Sequence, residues 1–196
     1  PESSESDQIV PVPAEVLRDT IALVAFAAAR DDSRPILTGV WVSYQEGILT
    51  MAAADGYRLS VRSVPVDTDY HGSFNFVIPA RTLSELARIS ADEEQNIYMI
   101  LPEERSQVLF NMTNIDVMSQ TIDGTFPDFK QIIPTDLTTR TIVDTQDFLR
   151  ACKRADIFAR ESNNTVRLSI EPRDGMAGTV RVTATSAETG DNEVVI

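Results

Sequence analysis

A chain of 196 residues with 30 Asp and Glu against 17 Lys and Arg carries a formal net charge of −13. That balance excludes a protein that holds nucleic acid through a uniformly basic surface, while 42 % hydrophobic and 24 % charged residues are the proportions of an ordinary folded domain. No apolar run approaches the roughly 20 residues that span a bilayer, and the lone Cys152 excludes an internal disulfide and points to a reducing, cytoplasmic setting.

Pro1–Asp7 is acidic and serine-rich and reads as a disordered tail. A short strand over Gln8–Val12 follows, then a helix opened by Pro13, whose fixed φ suits a first turn. Leu17, Ile21, Val24 and Ala28 give this helix an apolar stripe, and Asp31-Asp32-Ser33 with the pre-proline Arg34 end it. Strands are predicted over Ile36–Tyr44 and Ile48–Ala54, around the hairpin signal Gln45-Glu46-Gly47, and over Tyr57–Val64 after the turn Asp55-Gly56.

The order then repeats. Ser73–Ile78 reads as a strand, and Pro79 opens a helix to about Ser90 with Leu83, Leu86 and Ala87 inward. Asn96–Leu101, Gln107–Met112 and Ile115–Ile122 read as strands joined by Pro102–Ser106 and the tight Thr113-Asn114. Asp123–Pro134 is a turn-rich loop and Thr135–Thr139 a linker. A third start follows. Arg140–Val143 reads as a strand, Thr145 to about Arg160 as a helix, and Val166–Glu171 and Gly178–Thr185 as strands about the turn Asp174-Gly175, with a last strand at Glu193.

Leu17, Leu83 and Leu149 recur at one constant interval, each near the start of a helix. Val12-Pro13-Ala14-Glu15-Val16-Leu17 and Ile78-Pro79-Ala80-Arg81-Thr82-Leu83 are nearly the same words, whereas Asp144-Thr145-Gln146-Asp147-Phe148-Leu149 keeps only the layout. The fold class is therefore α+β, built from repeated β-α-β-β-β units with helices on one side of antiparallel sheets. One such unit has a single face to bury and a thin core, so two are expected to pair into one domain. The expected organisation is a tail over 1–7, a complete two-unit domain over 8–134, a linker over 135–139 and a lone unit over 140–196. The lone unit should expose apolar surface and a sheet edge. The Pro start and the apolar end Val194-Val195-Ile196 read as marks of an excised or truncated fragment.

No catalytic constellation stands out. His71, the only histidine, lies in a polar loop without a positioned partner, and one His with one Cys makes no metal site. Cys152, beside Phe148 and Ala155, reads as a small core residue. The eight glycines are scattered at turns, so there is no phosphate loop. No catalytic residue, metal or cofactor is expected. Two segments are over-specified for simple turns: Ala53-Ala54-Asp55-Gly56-Tyr57-Arg58-Leu59, and Ile122-Asp123-Gly124-Thr125-Phe126-Pro127-Asp128-Phe129-Lys130-Gln131-Ile132-Ile133-Pro134.

These segments, with Arg34-Pro35-Ile36-Leu37-Thr38-Gly39-Val40, Ile78-Pro79-Ala80-Arg81, Lys153–Asn164, Val166-Arg167-Leu168 and Ser186–Asp191, resemble the bacterial DNA polymerase III beta subunit, the sliding-clamp family. The resemblance runs through nearly the whole chain in order. It implies a DNA-clamp fold, with 8–134 as the middle domain and 140–196 as the first half of the third. It further implies a non-catalytic processivity factor of the replication machinery, whose protomers dimerise head to tail into a ring around duplex DNA. Its partners would be double-stranded DNA, read without regard to sequence, and the polymerase III alpha and clamp-loader subunits. The latter would dock short hydrophobic peptides in a pocket between the second and third domains.

The positions that match that pocket are Arg34, Leu37, Ala54, Gly56, Tyr57, Arg58, Leu59, Pro127, Gln131 and Ile132, with Asn163 from the third domain. Ala54 stands where the family often has Thr, and Gln131 where it often has a basic residue. The family's C-terminal segment, which completes the pocket, is absent, so this chain alone is expected to bind peptide weakly or not at all. Arg18, Arg81, Arg88, Arg150, Lys153 and Arg154 are the expected DNA-facing residues, a locally basic lining inside an acidic exterior. The reading from another class is a free-standing α+β peptide-binding module that never encircles DNA.

Overall fold

A computed structural model describes residues 8–68, 70–101, 106–160, 162, 164–173, 176–186 and 190–196. The predicted tail over 1–7, most of the Pro102–Ser106 link, the Asp174-Gly175 turn, Asn163 and part of the Ser186–Asp191 motif lie outside the described residues. The chain divides into two compact units, Pro1–Ile133 and Pro134–Ile196. Among the described residues no helix is long and apolar enough to cross a membrane.

The first unit contains β1 (Gln8–Pro13), α1 (Ala14–Val24), β2 (Gly39–Gln45), β3 (Ile48–Ala54), β4 (Leu59–Pro65), β5 (Phe74–Pro79), α2 (Ala80–Ile89), β6 (Asn96–Leu101), β7 (Gln107–Asn111) and β8 (Asp116–Gln120). Its eight strands form two antiparallel sheets, ordered β1-β6-β7-β8 and β4-β3-β2-β5. Each half thus gives its first strand away. Strand β1 pairs with β6, setting Val12 opposite Ile97 and Val10 opposite Met99. Strand β5 pairs with β2, setting Ile78 opposite Val40 and Phe76 opposite Val42. The exchange ties the two repeats into one body.

Alternation along each strand sends one set of residues inward. Val40, Val42 and Tyr44 of β2, Leu49, Met51 and Ala53 of β3, and Ile97 and Met99 of β6 meet Leu17, Ile21 and Val24 of α1 and Leu83 and Leu86 of α2 in one core. The predicted pairing of two units about a shared core is what the sheets and helices form. Helix α1 packs on β3 and β4, while α2 packs on β2 and β5. The sheet β4-β3-β2-β5 is therefore roofed by helices from both halves.

The second unit is one helix, α3 (Thr145–Ala159), on one antiparallel sheet of β9 (Arg167–Arg173), β10 (Met176–Ser186) and β11 (Gly190–Val195), ordered β11-β10-β9. Its small core holds Ala151, Ala155 and Ala159 against Val180, Val182 and Ala184. The Asp144 carboxylate caps α3 by accepting the Asp147 N–H at 2.9 Å.

Three expectations are corrected. Arg140–Val143 is not a strand. Its counterparts β1 and β5 exist only by pairing with the other repeat, and among the described residues it has no such partner. Residues Pro35–Thr38 form a 3-10 turn, so the strand predicted from Ile36 starts at Gly39. Pro35 offers no N–H to a ladder, Leu37 N–H donates back to the Arg34 carbonyl at 2.9 Å, and the Thr38 hydroxyl donates to the Pro35 carbonyl at 2.7 Å. The leucine interval also slips in the third copy. The residues before the helices are Pro13, Pro79 and Asp144, so the third falls one residue short and Phe148, not Leu149, holds the inward station. One residue is about 100° of helical rotation. Leu17 and Leu83 are 0 % exposed, and Leu149 is 43 % exposed.

Candidate functional site

The sheet β4-β3-β2-β5 has a second face. Trp41, Ala52, Ala54, Leu59 and Val77 point away from the main core and meet Leu37, Phe126 and Phe129 in a separate apolar cluster. The chain from Thr121 onward is laid on this face. Ile122 N–H donates to the Val77 carbonyl at 2.7 Å. The Phe129 ring stands edge-on to Trp41, centroids 5.6 Å apart, and Phe126 stands edge-on to Phe129 at 6.5 Å. Gly39 permits the close approach at the sheet end: a Cβ there would sit 2.4 Å from Val77 Cγ1 and 3.0 Å from the Ile78 carbonyl.

The rim is organised by Asp55. Its Oδ1 accepts the N–H groups of Tyr57 and Arg58 at 3.0 and 3.1 Å, and its Oδ2 accepts Arg58 Nε at 3.0 Å. The Tyr57 N–H, followed by those of Arg58, holds the Asp55 carboxyl below the usual carboxylate range against a smaller opposing push from burial. The turn requires Gly56, whose φ is +93°. A Cβ at Gly56 would also sit 2.9 Å from Arg34 Nη2, the same nitrogen that donates to the Asp55 carbonyl at 3.4 Å. Arg58 lies over the Phe26 ring, 5.6 Å from its centroid, and the Tyr57 side chain stands in solvent, 99 % exposed. Because Asp55 holds both amides in the turn, β4 begins at Leu59 rather than at the predicted Tyr57.

A second short turn, Phe129–Gln131, finishes the face. Asp128 Oδ1 accepts Lys130 N–H at 3.2 Å, and Oδ2 accepts Gln131 Nε2 at 2.9 Å. Pro127, Gln131 and Ile132 are exposed on it. Arg34, Leu37, Ala54, Gly56, Tyr57, Arg58, Leu59, Pro127, Gln131 and Ile132 thus sit on or beside one apolar cluster, although they are spread from Arg34 to Ile132. Leu37 is buried and belongs to the floor. A shallow cavity on the same sheet face, lined by Trp41, Asn75, Val77, Ile122 and Phe126, includes none of the ten. Sequence reasoning missed the supports. Phe126 and Phe129 were legible only as part of a loop, Asp55 only as ordinary turn chemistry, and nothing local links Phe26 to Arg58.

The basic residues divide. Arg18 is part-buried, and its Nη1 donates to the Ser90 carbonyl at 2.5 Å and the Glu93 carbonyl at 2.9 Å, fastening α1 to the end of α2. Arg88 pairs with Glu85 at 2.8 Å, and Arg150 pairs with Asp147. Arg81, Lys153 and Arg154 are exposed on their helices. His71 is exposed, and among the described residues no three His, Cys, Asp or Glu side chains gather as a metal site.

The fold is shared with known proteins. Residues 11–128 match the model of the DNA polymerase III beta subunit central domain, and residues 130–195 match that of its C-terminal domain. The chain belongs to the DNA polymerase III beta subunit family. The beta sliding clamp of Bacillus subtilis (strain 168) is 35 % identical over 187 residues, covering 95 % of this chain and 48 % of the relative. The beta sliding clamp of Halalkalibacterium halodurans is 36 % identical over 188 residues, with the same coverage of 95 % and 48 %. A crystal structure of the Bacillus subtilis DNA polymerase sliding clamp superposes with a TM-score of 0.88 at 32 % identity, over 100 % of this chain and 50 % of that one. The chain spans about half the length of the curated beta subunit relatives it matches.

Proposed function

We propose that this chain supplies consecutive modules of a sliding clamp, a non-catalytic cytoplasmic factor that encircles duplex DNA as a dimeric ring and tethers replication proteins to it. In this reading the outer face of the first unit takes a short extended peptide from such partners, the polymerase alpha and clamp-loader subunits among them. The observation that carries it is the gathering of the ten residues from Arg34 to Ile132 over the Leu37-Phe126-Phe129 floor. An apolar floor with Arg34 and Arg58 at its rim suits an extended peptide whose apolar side chains bury while its polar ends stay wet. None of these side chains is arranged as a nucleophile with a base. Arg81, Arg88, Arg150, Lys153 and Arg154 serve the DNA by weak, sequence-blind phosphate contacts. Arg18 is left out of that set because its guanidinium already holds two carbonyls.

The test is topological. A chimera in which this chain replaces the matched half of the Bacillus subtilis clamp is loaded on nicked circular DNA. Retention on the circle and loss on linearisation are expected. Equal retention on both forms, or none on the circle, overturns the ring reading.

A further inference from the structure

Trp41 belongs to two surfaces at once. Its ring packs against Phe129 in the apolar floor. It also lines the shallow cavity on the β5 side of the same sheet, together with Asn75, Val77, Asp123, Thr125 and Phe126. Strand register explains the placement. Trp41 of β2 lies opposite Val77 of β5 and Ser43 opposite Asn75, so Asn75 shares the outer face with Trp41 and Val77. The chain leaving β8 forms the wall. It is fixed by the Ile122 N–H, which donates to the Val77 carbonyl at 2.7 Å, and it turns at Gly124, whose φ is +131°. Every residue of the cavity lies in the first unit.

The chemistry of this cavity differs from that of the floor. The floor is apolar with two arginines at its rim, whereas the cavity lining holds no basic residue and one acidic residue, Asp123. Among the described residues, the Asp123 carboxylate has no hydrogen-bond or ion-pair partner, and neither does the Asn75 amide or the Thr125 hydroxyl. The volume, about 330 Å³, is at the low end of the roughly 300–1,000 Å³ of small-ligand sites, so it takes one long side chain and not a whole cofactor. An unpaired carboxylate beside an indole attracts an organic cation.

We propose that the cavity receives a lysine side chain of the partner peptide, flanking the apolar residues that the floor takes. The stem packs on Trp41 and Val77, and the ammonium is held by Asp123, Asn75 and Thr125. This inference rests on the peptide-docking reading above. Two observations select the occupant. The first is charge: the one formal charge in the lining is negative, which excludes an anion, and an ammonium brings three donors to groups that can accept them. The second is continuity: Trp41 and Phe126 are common to the floor cluster and the cavity. Trp41 and Phe126 lie 5.6 and 6.5 Å from Phe129, centroid to centroid, and an extended chain advances about 3.3 Å per residue, so roughly two or three peptide residues join the two sites.

The test uses the isotopically labelled 196-residue chain. Two peptides with the same apolar residues are titrated, one flanked at both ends by lysine and the other by norleucine. The lysine peptide is expected to bind roughly 3-fold to 10-fold tighter. It alone should shift the Asn75 side-chain amide and the amides of 121–125. Asp123→Asn is expected to abolish the difference, and the norleucine peptide reports what that variant does to the floor. A second arm reads the cavity without the floor. N-acetyl-lysine methylamide at tens of millimolar should shift the Asn75 side-chain amide and the Trp41 indole N–H, and N-acetyl-norleucine methylamide should not. A lysine preference that survives Asp123→Asn is general attraction to an acidic chain and overturns the inference. So does a lysine methylamide that leaves Asn75 and 121–125 unmoved. Floor amides that stay still for both peptides, while lysine methylamide shifts Asn75, refute the peptide floor and not the cavity.

Discussion

Replacing Leu83 by alanine and replacing Leu149 by alanine make the same change at matching stations of a repeated motif, yet their consequences differ. Leu83 is 0 % exposed and lies in the core that both repeats of the first unit share. Its truncation is expected to cost about 2–5 kcal/mol, near 3 because Ile97 and Val40 in the same core are held by two sheets and cannot collapse far. Leu149 is 43 % exposed, and its truncation is expected to cost no more than about 1 kcal/mol. Phe148, one position earlier and packed on the α3 core, should cost about 2 kcal/mol, less than a fully buried Phe. Trp41 is the only tryptophan and sits in the first unit, so its fluorescence during urea unfolding follows that unit alone. With a slope of about 2 kcal/mol per molar urea, Leu83→Ala should lower the midpoint by about 1.5 M and Leu149→Ala should leave it in place. Amide exchange at Val182 of β10 follows the second unit, and should accelerate more in Phe148→Ala than in Leu149→Ala. Equal costs for Leu83→Ala and Leu149→Ala, or a greater effect of Leu149→Ala than of Phe148→Ala, would refute the register slip.

Other outcomes follow from the rim and the helices. Gly56→Ala should cost about 1–2 kcal/mol through its left-handed φ, since Arg34 Nη2 is the far end of a flexible chain and can move. Gly39→Ala should cost about 1–3 kcal/mol, the upper part of the range, because its new Cβ meets Val77 and a fixed backbone carbonyl; thermal unfolding of both variants ranks them. The Asp55 carboxyl should titrate in a carbon-detected NMR experiment below the ordinary 3.8. A depressed folded value means its contribution is present above the unfolded value and fades as the pH falls through the folded one. The Tyr57 and Arg58 amides should therefore lose exchange protection only below about pH 4, and Asp55→Asn should remove that step. In the chimeric clamp, Arg81, Lys153 and Arg154 changed together to alanine should flatten the log-salt slope of DNA binding by roughly 2–3, about 0.9 for each phosphate no longer neutralised, and an unchanged slope would remove these side chains from the DNA path.

What could be read from the sequence follows the range of the forces involved. Ile48–Ala54 and Asn96–Leu101 match their predicted bounds end to end, because each is a hydrophobic run closed by turn chemistry within a few residues. Leu17, Ile21 and Val24 are buried as their spacing required, but the helix predicted to run on to Asp31 ends at Val24: a 3-10 turn, Ala25–Ala27, follows and Ala28 is buried from extended backbone. The exchange of β1 and β5 between repeats was invisible, because pairing between distant strands leaves no local periodicity. Arg140–Val143 shows the converse: its composition suits a strand, but a strand also needs a ladder, and the ladder is not in its neighbourhood. The ten residues of the outer face were reached through resemblance, not pattern, and only the folded sheet reveals why they belong together. Phe129 against Trp41 and Phe26 under Arg58 are contacts between segments that nothing in either segment announces.

The most direct measurement is amide shift mapping of the isotopically labelled chain titrated with a hexapeptide carrying apolar side chains between polar ends. The account predicts, even at millimolar affinity, that the perturbed amides cluster at 34–37, 54–59 and 126–132, with Trp41 Nε1–H among them, and that Leu37→Ala erases the response. Perturbations gathered instead on the exposed sides of α1 and α2 would contradict it.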